Sequence, residues 1–117
     1  MIIEISEEDI RHYAYFTKDE AAIHLDAAAA RKAGFGAPIA HGMYIMGLAQ
    51  SLYLKEHRSH WIQSMNMRFE QPCLQGSTVC FQYNTWNNGQ IQITVMSDDG
   101  EIIAKGSFSV VEGIAEP

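Results

Sequence analysis

The chain has 117 residues, 47% hydrophobic and 19% charged, with 8 basic against 14 acidic side chains and a net charge of −6. That length suits one domain spanning residues 1–117, burying roughly two-thirds of the surface its unfolded chain exposes; two domains, a repeat array and a disordered chain are excluded. A pI near 5.2 without a basic stripe excludes a nucleic-acid binder, and any anionic ligand must be met by a local cluster of cations.

In chain order, Ile2 to Ile5 reads as a short strand, and Ser6 with Glu7, Glu8 and Asp9 as a helix cap and acidic first turn, predicting a helix to about Phe16. Thr17 to Leu25 shows no period and is expected to be loop. Asp26 caps an alanine-rich helix, Ala27 to Ala33, which Gly34-Phe35-Gly36-Ala37-Pro38 ends. From His41 to His57 the apolar residues surround a helix axis, with only Gly47, Gln50 and Ser51 interrupting, so other structure must wrap this helix. From Trp61 the period becomes two. Met65, Met67 and Phe69 belong to one strand, and Asn88-Gly89 and Asp99-Gly100 divide residues 77–111 into a three-stranded antiparallel meander. The fold expected is α+β, an antiparallel sheet curled around one long central helix in a single hot-dog domain. One copy leaves open sheet edges and one bare side of the helix, which predicts a homodimer or larger homo-oligomer.

Met1 to Asp9 lacks the features of a signal peptide, and no run reaches the roughly 18 apolar residues of a membrane span, so the expected location is cytoplasmic. Cys73 and Cys80 are too few for a disulfide scaffold; they can pair, but Cys80, in a strand pattern, reads better as a small buried thiol.

The chemistry concentrates in Thr17 to Asp26 and in Gly36-Ala37-Pro38-Ile39-Ala40-His41-Gly42-Met43. Asp19 and His24, five residues apart, form a workable acid/base pair, although such groups in a polar loop are commonly just solvated. The start of a wrapped helix offers free N–H groups to developing negative charge, and Gly42 allows a carbonyl to come close. His41 has the simpler option of bonding the loop backbone. His57 and His60 read as a surface pair, and no cysteine or histidine spacing fits a metal framework, so no metal is expected.

The Pro38-Ile39-Ala40-His41-Gly42-Met43 string, with Asp19 and His24 upstream and Arg68-Phe69-Glu70-Gln71-Pro72 and Gly76 downstream, resembles the MaoC-like, (R)-specific enoyl-CoA hydratase family over about Tyr13 to Val111. The resemblance implies that Asp19 and His24 activate the water added to a trans-2-enoyl thioester. It also implies that Gly42 binds the thioester oxygen, and that Pro38, Ile39, His41 and Met43 contact substrate. The implied substrate is an acyl thioester of coenzyme A or acyl-carrier protein, with no cofactor. Two features depart from the family: Ala21-Ala22 stands where its loop has Asn-Pro, and Gln50 where some hydratases carry serine. The alternatives are a non-catalytic acyl-thioester-binding protein, favoured by Ala21-Ala22, and a thioesterase. The second is disfavoured because His41 to Lys55 contains no carboxylate.

Overall fold

The computed structural model describes residues 1–85 and 87–113. Strand β1 (Ile2–Glu4) gives way to helix α1 (Glu7–Thr17) where the Ser6 hydroxyl accepts the Asp9 amide at 3.1 Å. The helix ends at Lys18, whose φ of 59° is left-handed, and the Asp19 amide returns to the Ala14 carbonyl at 3.1 Å. This closing motif, built without glycine at a cost of about 1 kcal/mol, sets Asp19 just past the helix end.

Residues 22–25, expected as loop, form a one-turn helix, α2 (Ala22–Leu25). Four residues are too few to display an apolar period, so its support comes from elsewhere in the chain. The Arg11 guanidinium donates to the Leu25 carbonyl at 3.0 Å and the Ile39 amide to the Ile23 carbonyl at 3.1 Å. Asp26 then caps α3 (Ala27–Lys32), accepting the Ala28 amide at 3.2 Å.

Helix α4 (Gly42–Glu56) lies across a five-stranded antiparallel sheet of order β1-β3-β4-β5-β2, formed with β2 (His60–Phe69), β3 (Thr78–Thr85), β4 (Gln90–Ser97) and β5 (Ile102–Glu112). The expected meander is β3-β4-β5. Asn88 and Gly89, at φ of 65° and 73°, lie between its first two strands, and Gly100, at 90°, turns the next pair. Bulges between Ile62 and Ser64 and between Val95 and Met96 help the sheet curl.

The core lies between helix and sheet: Ile45, Ala49, Leu52 and Tyr53 of α4 meet Val79, Phe81, Ile91, Ile93, Val95 and Phe108. Each large apolar side chain buried there contributes roughly 1.5–3 kcal/mol. Tyr83 donates its hydroxyl to the Ala49 carbonyl at 2.6 Å, and the Tyr53 ring meets Phe108 edge-on at 4.9 Å, fixing the helix on the sheet. The opposite side of α4 is uncovered, with Met43 65% exposed and Gly47 open. Cys80 is only partly buried, contrary to expectation, because its inward-facing neighbours Val79 and Phe81 turn it to the outer face; Cys73 is the buried thiol, and both are free. No helix among the described residues is long and apolar enough to cross a membrane.

Burial pushes the Tyr83, Tyr44 and Tyr53 phenols above their ordinary value of 10.0, Tyr44 further through Asp9 and Cys73 and Tyr53 through Glu112. A raised folded-state value means that the unfolded chain gives up these protons first, so stability is full below about pH 10 and falls above it. Urea midpoints are therefore expected to decline above about pH 10, with tyrosinate absorbance rising as the protein unfolds.

Candidate active site

Asp19 leaves the end of α1, His24 sits on α2, and His41 is the residue from which α4 springs. One potential ligand or base atom from each lies within 4.8 Å of the others. A water hydrogen-bonded to two such atoms fits that separation.

The ring protons follow from their partners. Nδ1 of His24 is 2.6 Å from the Ile39 carbonyl oxygen, which only accepts, so Nδ1 carries the proton and Nε2 presents a lone pair. Nε2 of His41 lies 2.8 Å from the Asp19 backbone carbonyl and is therefore its protonated nitrogen. The Asp19 carboxylate is 4.0 Å from that same Nε2, and its side chain is 56% exposed. The His24 and His41 rings stack at 3.7 Å between centroids, 19° from parallel.

Beside this cluster opens a cleft of about 330 Å³ lined by Ile39, Ala40, Gly42, Phe69 and Glu70 to Cys73. Among the described residues, Gly42 and Met43 donate their amides to no protein acceptor, so the positive end of the α4 dipole carries free N–H groups. A methyl on Gly42 would stand 3.2 Å from Cε1 of Phe69, which is the packing reason for glycine there.

The other anticipated residues divide. Ile39 lines the cleft and holds His24 through its carbonyl. Pro38 is buried, its carbonyl bound by the Gln75 amide at 2.8 Å. Met43 lies on the uncovered side of α4, outside the cleft lining, and Gln50 is half-buried further along that helix. For the local cluster of cations that an anionic ligand needs, the sequence offers Arg31, Lys32, Lys55, Arg58 and Arg68, which are all exposed, and among the described residues none forms an ion pair.

His57 and His60 are more than a surface pair. The Tyr53 hydroxyl lies 2.8 Å from Nδ1 of His60, and Nε2 of His60 is 3.0 Å from Glu112, at the far end of α4 from Asp19. Sequence offered only the i, i+4 spacing of Tyr53 and His57, whose rings stack at 4.1 Å; Glu112 is 52 residues from His60.

Asp19, His24 and His41 are also a carboxylate and two imidazoles, a familiar metal-ligand set. Stacked rings carry their lone pairs in nearly parallel planes, whereas a tetrahedral ion needs them to converge. The cluster suits a water better than an ion.

The curled sheet with one long helix across it is the hot-dog architecture, and the sequence matches the MaoC like domain over residues 2–105. The chain belongs to that family. Family membership supports hydratase or dehydratase chemistry at the level of the family.

Among solved structures the chain is similar to the unliganded R-hydratase PhaJ1 from Pseudomonas aeruginosa, with TM-score 0.83 and 21% identity over 100% of this chain and 84% of that one. It is similar to the (R)-hydratase from A. caviae involved in PHA biosynthesis, with TM-score 0.80 and 19% identity over 94% and 89%. A third is the truncated HadBC (3R-hydroxyacyl-ACP dehydratase) complex from Mycobacterium tuberculosis, with TM-score 0.78 and 18% identity over 95% and 90%. At these identities the likeness is one of fold. No curated protein matches the sequence.

Proposed function

We propose that the protein is a hydratase/dehydratase interconverting trans-2-enoyl and (R)-3-hydroxyacyl thioesters, with Asp19 and His24 as the acid/base pair and Gly42 in the oxyanion site. The observation carrying this reading is the carboxylate of Asp19 and the imidazole of His24 meeting within 4.8 Å, while the free amides of Gly42 and Met43 start the adjoining helix. The (R)-hydratase and hydroxyacyl dehydratase neighbours support the substrate class.

In hydration, a water held by the pair gives one proton to His24 Nε2 and adds its hydroxyl to the β-carbon. The C=C electron pair moves toward the thioester oxygen, where the Gly42 N–H and the α4 dipole meet the growing charge. The pair then returns the proton to the α-carbon, and dehydration reverses these steps. Ile39 walls the site, Pro38 is buried next to it and outside the cleft lining, and Met43 would reach the acyl chain only from the uncovered side of α4.

That uncovered side, together with the edge strand β2 and its 66% exposed Trp61, supports a second copy of the chain as the partner that completes the acyl site. Light scattering at micromolar concentration is expected to give at least a dimer; a monomer would count against it. We assign the cytoplasm as its location.

The test follows loss of enoyl absorbance from short and medium trans-2-enoyl-CoA while free thiol is assayed. Hydration without thiol release is expected. Thiol release would identify a thioesterase, and tight binding without turnover would identify the binding protein that Ala21-Ala22 favours.

A further inference from the structure

Helix α4 begins in an unusual way for stability. Its N-cap is His41, which makes no side-chain capping bond, although serine, threonine, aspartate or asparagine at this position would satisfy a helix amide. The ring is 3% exposed, and among the described residues Nδ1 is buried without a hydrogen-bond partner. An uncapped helix start and an unpaired buried nitrogen are both concessions, and both occur at one residue.

What the ring does touch is the loop carrying the acid/base pair. Nε2–H donates to the Asp19 carbonyl at 2.8 Å, across 22 residues of sequence. One face stacks on His24 at 3.7 Å, and Tyr13 packs against the ring at 4.8 Å, 56° from parallel. The His41 backbone continues directly into Gly42. One side chain thus sets the position of Asp19, the position of His24, and their register on the helix start.

We propose that His41 is the positioning residue of this site, holding the acid/base loop at a fixed distance from the oxyanion amides without itself touching substrate. The proposal rests on the hydratase reading and replaces the substrate contact that the family resemblance implies for His41. Misplacing reacting groups by about 1 Å lowers turnover by about 10²-fold while substrate binding persists.

The test uses two variants of the full chain. His41→Asn provides a good helix cap but is too short to reach the Asp19 carbonyl, whereas His41→Gln places an amide donor at the reach of Nε2. For His41→Asn, kcat is expected to fall about 10²-fold with KM within about threefold, and amide exchange at Asp19 and His24 to quicken about tenfold while α4 core amides stay protected. His41→Gln is expected to recover about tenfold of the lost kcat and to restore slow exchange in the loop.

Unchanged kcat and loop exchange in His41→Asn would overturn the proposal, as would a rise in KM alone, which marks a substrate contact. Uniformly faster exchange through α4 would also overturn it, by making the role one of general stability. If the wild-type chain has no hydratase turnover, the exchange pattern still decides: a loosened loop restored by His41→Gln sustains the positioning role even as the reaction assignment fails.

Discussion

Asp19→Asn and His24→Ala are each expected to lower hydration of a trans-2-enoyl thioester by about 10²-fold or more, with the fold intact. Asn is nearly the shape of Asp and removes only the charge, and because the Asp19 side chain is half exposed, little stability depends on it. His24→Ala removes the Nδ1–H bond to the Ile39 carbonyl and the stack on His41, a loss of about 1 kcal/mol together with its lone pair at Nε2. In the proposed mechanism both residues hold one water, so their effects are not expected to add. The double variant is expected to be about as inactive as the worse single one. Initial rates on saturating enoyl-CoA, with thermal melts as the control for folding, check this. An Asp19→Asn variant retaining most of its activity would remove the acid/base assignment.

Asp19, His24 and Gly42 stand out as candidates in the order of residues, at a helix end, in a short polar segment and at the first position of an apolar helix. The long helix and the meander were legible because a nearly continuous apolar run of 15 residues in α4 is too long for a strand, while alternation persists over 8 to 11 residues in β3 to β5. Helix α2 was not, because bonds from Arg11 and Ile39 support it.

Cys80 faces outward because strand parity sets it between the inward-facing Val79 and Phe81, a stronger constraint than the tendency of a lone thiol to be buried. The roles of His41 and His60 depend on partners 22 and 52 residues away, which no spacing rule reveals. The Ala21-Ala22 departure proves milder for the backbone than for chemistry. Ala21, at φ −57° and ψ 141°, has the extended conformation that precedes a proline, and Ala22 opens α2 as a proline would. What the loop has lost is the amide side chain.

Gly106 reads in sequence as one more inward position of an alternating strand, yet its substitution carries the largest structural penalty expected here. It pairs with Met67 on β2 and Ile93 on β4, where the sheet curls around α4. A methyl on Gly106 would overlap the Asn66 carbonyl oxygen and lie 3.0 Å from Met67 Cα. Both obstacles are backbone, so no side-chain rotation relieves them, and either β2 must move away from β5 or the curl must open. Gly106→Ala is therefore expected to cost about 3 kcal/mol or more, against a gain of about 0.5–1 kcal/mol for Gly47→Ala, where a methyl in mid-helix meets none of the described residues of its own chain within 4 Å. Urea unfolding of the two variants separates close strand approach from glycine's ordinary flexibility; equal effects would refute the approach. The consequence extends to the site, since β2 ends at Phe69, the wall against Gly42. Opening the curl moves that wall, so Gly106→Ala should lose turnover even at temperatures where it remains folded.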